Sequence, residues 1–460
     1  MHKSPVIAIF DIGKTNKKLF LFDEQYNMLY EKSEGFAETI DEDGDACEDL
    51  ALLTGWAQRS LEQVSQAAFD VTAVNFSAYG ASFVHIDREG TPVAPLYNYL
   101  KPYPKNIQQQ FYDRYGSELV FSMQTASPVL GNLNSGLQLY MLKYQKPGIF
   151  QKIHYSLHLP QYLNFLVTGR PYSDITSIGC HTGLWNFSQN HYHEWIYREE
   201  ISGQLAPIFP SDQVMRCDYN KKPILSGIGL HDSSAALIPY LSNFTEPFVL
   251  ISTGTWCISL NPFNQTNLTA EELQQDCLSY MEYRGKPVKA SRLFAGYEHE
   301  QQVKKLAAQF NVANDFYKTI LFDIETVNRL QNRTPPPSNE KKQMLQQSAF
   351  AARDLLTFSS YAEAYHQLMI DLIKQQVIST DLVLKNCSVK RIFLDGGFSR
   401  NPVYMNLLAA AYPEMEVYAA SMAQASALGA ALAIHPYWSK KSLPADLIEL
   451  KYYTATETIM

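Results

Sequence analysis

Asp11, Gly13, Lys14, Thr15 and Asn16 crowd into one run, VIAIFDIGKTNKKLFLFDEQ at residues 6–25. A carboxylate closing an apolar run, then a glycine with hydroxyl and amide side chains, can set N–H and O–H donors against phosphate oxygens. The carboxylate can meanwhile hold a magnesium ion through its water shell. The same residues also fit a plain hairpin with a cationic tip. Gly13-Lys14-Thr15 has the ending of a phosphate-binding P-loop, but that loop needs a glycine where Ala8 stands and a helix directly after the lysine. Residues 18–22 are instead aromatic and apolar and stop at Asp23, as a strand does.

Three further stretches offer related chemistry. In GIGLHDSSAAL, residues 227–237, Asp232 stands between a glycine-rich loop and a run of small helix formers. A carboxylate there can accept a proton from a hydroxyl nucleophile, or it can simply cap the helix. His231 beside it can contact a substrate or pack in the interior. In LISTGTWCISL, Gly254 and Thr255 again place donors at a tight turn. In FLDGGFSRN, the pair Gly396-Gly397 at a strand-to-helix junction lets backbone approach an anionic or flat ligand, with Ser399 and Asn401 following.

The elements that must position these residues are legible in outline. The opening run reads strand, turn, strand, and ALLTGWAQRSLEQVSQAAF spaces Leu53, Trp56, Leu61 and Val64 as a helix does. VTAVNFSAYGASFVHIDREGTP reads as a strand, a kink or bulge at Gly80, and a second strand ended by a turn. Two helices are expected to close at Pro147 and Gly169. Near Glu246 the strand–turn–strand pattern returns, which implies a duplicated fold with two lobes, residues 1–245 and 246–460, around a cleft. The polar stretch containing Pro335, Pro336 and Pro337 reads as an insertion in the second lobe. The stripe Tyr361, Tyr365, Leu368, Leu372 after it is helical and leads to another strand.

A chain of 460 residues suits two large domains, and 46% hydrophobic with 18% charged residues is globular composition. A net charge of −8 argues against a nucleic-acid partner. The six cysteines form no Cys-x-x-Cys pair and read as reduced, structural thiols. The first residues carry neither signal-peptide nor spanning-helix character, so no membrane partner and a cytoplasmic location are expected.

In this order the stretches resemble the FGGY family of carbohydrate kinases, over nearly the whole chain from Val6 to about Ala433. Asp11-Ile12-Gly13-Lys14-Thr15 matches the family's first phosphate hairpin, with Lys18 where a basic residue is usual. Asp232 matches its catalytic base, and Ser252-Thr253-Gly254-Thr255 its second phosphate loop. Gly396-Gly397-Phe398-Ser399-Arg400-Asn401 matches its adenosine-side motif. SDITSIGCHTGLWNF and the small-residue helix at residues 425–430 match two further signatures.

The resemblance implies an α/β fold of the actin, hexokinase and Hsp70 type, ribonuclease H-like and duplicated, with a central ATP and sugar cleft. ATP and Mg2+ are the implied cofactors, with Asp11 on the metal. Asp11, Gly13, Lys14, Thr15, Asn16, Lys18, Gly254, Thr255, Gly396, Gly397, Ser399 and Asn401 would meet the nucleotide. Ser77, Tyr79, Gly80, Ser82, His231 and Asp232 would meet the sugar, and Asp232 would be the base. A homodimer is compatible with the resemblance.

Within the family the motifs are most similar to rhamnulokinases, then to fuculokinases and xylulokinases, so a small ketose is the expected acceptor. Ser82 stands where a carboxylate is usual, and Tyr99 and Lys101 occupy a loop that usually carries Asp and Arg. Lys14 replaces a small or hydroxyl residue and could add charge at the phosphates. Two alternatives follow from those departures and from the superfamily: a catalytically weak sugar sensor, and an actin- or Hsp70-like ATPase.

Overall fold

The computed structural model describes residues 5–66, 69–80, 82–331, 349–422, 424–444 and 446–454. The expected insertion at Pro335, Pro336 and Pro337 lies outside the described residues. The chain forms two compact units. The first comprises Met1–Asn243, Ser279–Pro287 and Gln424–Leu447, and the second Phe244–Leu278, Val288–Ala423 and Ile448–Met460.

In the first unit, Pro5–Ile12 runs antiparallel to Lys17–Asp23, which runs antiparallel to Met28–Glu34. On its other side Pro5–Ile12 runs parallel to Asp70–Ala78, followed in the sheet by Lys222–Gly227 and Val214–Tyr219. Val6, Ile7, Ala8 and Ile9 are all fully buried, which is why this strand is continuously apolar instead of alternating. Helix Leu50–Gln66 turns Leu53, Trp56, Ala57, Leu61 and Val64 inward, and the Trp56 ring meets Phe10 edge-on at 5.7 Å. Each such fully buried large side chain stabilises the fold by roughly 1.5–3 kcal/mol. Gly80 falls between two strands, as the sequence suggested, but the second does not continue the sheet of the first. The chain leaves the sheet there, and Phe83–Ile86 pairs instead with Tyr155–His158.

The second unit repeats the plan. Phe248–Thr253 pairs antiparallel with Cys257–Asn261, which pairs antiparallel with Pro287–Leu293. On the other side it runs parallel to Arg391–Gly396, then come Glu416–Ser421 and the antiparallel Glu449–Tyr453. The two sheets therefore share one strand order and one pattern of directions, a duplication at the level of topology. Helix Tyr361–Leu384 covers this sheet and buries Tyr361, Tyr365, Leu368 and Leu372, the stripe expected from the sequence.

Two segments return to the first unit after the second has begun. Helix Ala425–Ala433 lies against helix Asp232–Asn243 so closely that a Cβ on Gly429 would stand 1.8 Å from the Ala235 carbonyl oxygen. The Asn75 amide donates to the Ala430 carbonyl at 2.8 Å and fixes the helix to the central sheet. In Ser279–Pro287, the Met281 carbonyl accepts from Ser234 Oγ at 2.9 Å. No described helix is long and apolar enough to cross a membrane, and all six cysteines are unbridged.

Candidate active site

Strand register assembles the charged part of the site in the first unit. Asp11 is paired with Lys18 on one side and Ser77 on the other, Ser77 with Leu230, and Ala78 with His231. Cross-strand partners project to one face. The register alone thus gathers Lys18, Asp11 and Ser77 at the strand ends and delivers the chain into Asp232, the first residue of helix Asp232–Asn243. Sites of open α/β sheets form at this end of the parallel strands.

Ser426 Oγ, from the helix that returns late in the chain, donates to Asp11 Oδ2 at 2.9 Å. Burial pushes the Asp11 carboxyl up to about 6. The Asp232 carboxylate adds to the rise, and the Ser426 and Ser77 hydroxyls and the Lys18 ammonium oppose it. The Asp11 carboxylate is therefore mostly ionised at neutral pH, and its charge is costly to hold.

Asp232 is partly exposed, and its contacts converge on one oxygen. Oδ1 lies 2.6 Å from the Ser233 amide, 3.2 Å from Ser233 Oγ and 3.3 Å from His231 Nε2. Oδ2 has no partner among the described residues. No bond runs to the carboxylate from the Ser234 or Ala235 amides, so it lacks the usual geometry of a helix cap. One oxygen is fixed and the other is open to accept a proton.

His231 is buried, and burial lowers its pKa against the pull of Asp232, so the ring is neutral, with Nε2 3.3 Å from Asp232 Oδ1. Gly80 makes room for it, since a Cβ there would stand 2.7 Å from His231 Cδ2. The backbone behind the ring is held by a relay the sequence did not reveal. The His231 amide donates to Thr176 Oγ1 at 2.9 Å, and the Thr176 hydroxyl donates to Asp174 Oδ1. Asp174 also accepts from Ser211, and burial raises its carboxyl to about 6. SDITSIG is thus a buttress for the His231–Asp232 turn.

Between the two strands of the first hairpin the Gly13 amide donates to the Asn16 carbonyl at 2.9 Å, leaving Thr15 and Asn16 exposed at the tip. Lys14 is engaged by Glu38 at 2.7 Å, and Lys18 lies 3.5 Å from both Glu31 Oε1 and Gln424 Oε1. Two residues expected to meet a sugar, Ser82 and Tyr79, and the loop departure Lys101 have partners within the protein. Ser82 is buried and donates to the Tyr97 carbonyl at 3.4 Å. Lys101 is clasped by Asp41, Asp43 and Asp45 at 2.5, 2.7 and 3.2 Å. The Tyr79 ring is buried and its hydroxyl donates to Glu48 at 3.1 Å, while Glu48 pairs with buried Lys17 at 2.5 Å.

The second unit holds a separate arrangement built from backbone. The Gly254 amide closes its turn on the Trp256 carbonyl at 2.9 Å, and the Tyr297 amide donates to the Thr255 carbonyl at 3.0 Å. A Cβ on Gly296 would stand 1.8 Å from the Gly254 oxygen, and one on Gly396 1.9 Å from the Thr253 oxygen. Gly396 also has φ +80°, ψ −150°, a region essentially closed to other residues. Thr253 Oγ1 knits the junction by donating to the Asp395 carbonyl and accepting from the Phe398 amide at 3.0 Å.

Beside these glycines lies a cavity of about 550 Å³, lined by Gly254, Gly296, His299, Tyr317, Gly397 and Arg400 among others. The volume suits a nucleotide-sized ligand. Ser399 donates to the Gly396 carbonyl at 2.8 Å. Asn401 caps helix Pro402–Ala411 through Val403 and Tyr404 and donates Nδ2–H to Tyr365 at 2.7 Å. The Tyr365 hydroxyl in turn shares a hydrogen bond of 3.1 Å with His299 Nε2, and burial lowers the His299 pKa to about 4. His299 and Tyr317 were not singled out from the sequence, because no motif marks a lone histidine on a helix or a tyrosine in a short turn, and Arg400 entered only as a position inside the adenosine-side motif.

The donor set fits the two implied cofactors. The cavity and glycine-walled turn suit ATP. Among the described residues no three acidic, histidine or cysteine side chains cluster as a metal cage. Mg2+ does not need one, since it keeps its waters and takes one or two carboxylates with substrate phosphates, a role open to Asp11.

Two repeated α/β units, each carrying a tight hairpin turn, define a duplicated fold of the kind seen in two-domain sugar and ATP proteins. The chain belongs to the FGGY family of carbohydrate kinases: the family's N-terminal domain matches residues 6–216 and its C-terminal domain residues 245–442. A carbohydrate kinase from Novosphingobium aromaticivorans has a similar structure, with TM-score 0.82, 23% identity, and coverage of 99% of this chain and 96% of that one. A xylulose kinase from Lactobacillus acidophilus has TM-score 0.76 at 15% identity, covering 98% and 94%. Among curated proteins, a rhamnulokinase from Halalkalibacterium halodurans is 22% identical over 54% of this chain and 52% of its own. The chain thus spans about half the length of the curated relatives it matches.

Proposed function

We propose that this protein is an ATP-dependent carbohydrate kinase that phosphorylates a hydroxyl of a small ketose such as L-rhamnulose, L-fuculose or xylulose. The observation that carries the reading is Asp232, with Oδ1 held by three local contacts and Oδ2 without a partner among the described residues, at the strand ends that also carry Asp11. Family membership and the names of the similar kinases support the reaction class.

Phosphoryl transfer demands positioning and neutralisation of charge more than covalent work from the protein. Asp232 orients the acceptor hydroxyl and takes its proton through Oδ2. His231 and the Thr176–Asp174 relay hold that carboxylate in place. In the first unit the amides and hydroxyls at residues 14–16 donate to phosphate oxygens and Lys18 adds positive charge; in the second unit Thr255 offers donors of the same kind. Gly396 and Gly397 let the backbone approach the nucleotide, with the adenosine end in the adjoining cavity. Mg2+, when bound with the phosphates near Asp11, neutralises charge on the transferred group. Water must be excluded at transfer, so ADP release without sugar is expected to be slow.

The test is a coupled ADP-release assay against L-rhamnulose, L-fuculose, D- and L-xylulose, L-ribulose, glycerol and sugar acids. Asp232→Asn is expected to lower turnover by about 10²–10⁴ with an unchanged melting temperature, the usual range for a general base. Near-normal turnover of the folded variant would remove Asp232 from the mechanism. Fast ADP release without any sugar would favour an ATPase.

A further inference from the structure

The cation at the tip of the first hairpin is committed to another segment. Lys14 Nζ lies 2.7 Å from Glu38 Oε1, and the same oxygen accepts from Asn98 Nδ2 at 3.2 Å. Asn98 leads directly into Tyr99, whose ring packs 6.0 Å from that of Tyr79. Tyr79 is in turn anchored through Glu48 to Lys17, three residues after Lys14. Tyr79 leads directly into Gly80, where a Cβ would stand 2.7 Å from His231 Cδ2, and His231 Nε2 lies 3.3 Å from Asp232 Oδ1. A chain of contacts and adjacent residues within the first unit thus runs from Lys14 and Glu38 through Asn98, Tyr99 and Tyr79 to the His231–Asp232 turn.

We propose that Lys14 and Glu38 act as a specificity pair on the acceptor side of the site, selecting an uncharged polyhydroxy acceptor over an acidic sugar. The inference rests on the carbohydrate-kinase reading and names its substrate class. An ammonium retains further N–H donors after one contact, and the second oxygen of Glu38 has no partner among the described residues. Donor and acceptor side by side match a sugar diol, in which each hydroxyl both gives and receives. The pair is also neutral as a unit, while Asp11 and Asp232 add carboxylates at the neighbouring strand ends. A sugar acid entering there would have to draw Lys14 from Glu38 and face those carboxylates, which repel it. Lys14 is therefore assigned to the sugar and not to the phosphates of ATP.

The test compares the wild type with Lys14→Thr, Lys14→Arg and Glu38→Gln, using neutral ketoses and aldonates as acceptors and calorimetry for ATP affinity. Lys14→Thr is expected to raise the ketose KM by roughly 10-fold or more, the worth of a hydrogen bond to a charged group, with kcat and ATP affinity little changed. Lys14→Arg restores most of the loss, which a merely structural defect would not allow. Glu38→Gln leaves Lys14 uncompensated and is expected to raise the aldonate-to-ketose ratio of kcat/KM by about 10-fold. A wild type that prefers aldonates, an unmoved ratio in Glu38→Gln, or a 10-fold loss of ATP affinity in Lys14→Thr with an unmoved sugar KM would each overturn the proposal.

If the wild type phosphorylates no acceptor, the kinase reading fails, and the pair is judged by binding alone. Lys14→Thr must then lose the sugar-induced rise in melting temperature while still binding ATP; weakened ATP binding with the sugar response intact overturns the assignment.

Discussion

The two hairpins share a topology and divide the labour. Counted back from the last registered pair of each, Asp11 corresponds to Ser252, and the residues beside them on the parallel neighbour are Ser77 and Asp395. The carboxylate has moved one strand across, from the hairpin to its neighbour. In the first unit the turn is flanked by Lys14, Lys17 and Lys18 and backed by Asp11, whose charge hydroxyls hold in place. In the second the turn is glycine, threonine and tryptophan, walled by Gly296 and Gly396 at distances no side chain allows. One copy of the fold presents ionised side chains at its turn, the other close-packed backbone. Substitutions should therefore fail differently in the two: loss of charge in one, gain of a methyl in the other.

The sharpest break of that contrast is Gly396→Ala. Its Cβ would stand 1.9 Å from a backbone oxygen, at φ +80°. The clash and the forbidden backbone region together should cost about 3 kcal/mol or more and abolish ATP binding. Thr15→Ala at the exposed tip of the first hairpin should change stability by less than about 0.5 kcal/mol. Thermal unfolding of both variants decides; equal melting temperatures would end the claim that the second turn depends on backbone closeness.

A smaller effect probes the charged unit. Asp174 is fully buried, held by Ser211 and Thr176, and its carboxyl is raised to about 6 from an ordinary 3.8. Because the folded value lies above the unfolded one, the stability this group contributes is fullest below its ordinary value and is lost as pH rises through about 6. Asp174→Asn can still accept from the Thr176 amide but carries no charge. Relative to wild type it should gain on the order of 2 kcal/mol between pH 4.5 and pH 8, measured by denaturant unfolding at each pH. A difference independent of pH would mean that Asp174 is not raised.

What the sequence made legible was local. Both hairpins, helix Leu50–Gln66 and the stripe on helix Tyr361–Leu384 came from turn chemistry and apolar spacing, which act over a few residues. The family resemblance supplied the order of the motifs. The relay from Asp174 through Thr176 to His231 was hidden because it joins residues 55 positions apart through one hydroxyl. Ser426 on Asp11 was hidden for the same reason, across 415 positions. Ser82 and Lys101 show another limit: residue type gave no sign that Ser82 has the Tyr97 carbonyl, and Lys101 the Asp41 carboxylate, as a partner. Residue type shows what a side chain can do, and the competition for it is settled only in three dimensions.

Asn401 tests the finest part of the contrast, because its motif position suggested a nucleotide contact. Both ends of its amide are already used: Oδ1 accepts from the Val403 and Tyr404 amides at 3.1 Å, and Nδ2 donates to Tyr365 at 2.7 Å. Asn401→Ala removes cap and tether together and should cost about 1–2 kcal/mol. Asn401→Ser keeps a good cap and loses only the tether, for about 1 kcal/mol. If the second unit grips its nucleotide through backbone, the serine variant should bind ATP within about threefold of wild type, some 0.6 kcal/mol by calorimetry. A loss of about tenfold or more in that variant would make the Asn401 side chain a ligand contact, and the second unit would then read nucleotide as the first reads sugar, by polar side chains.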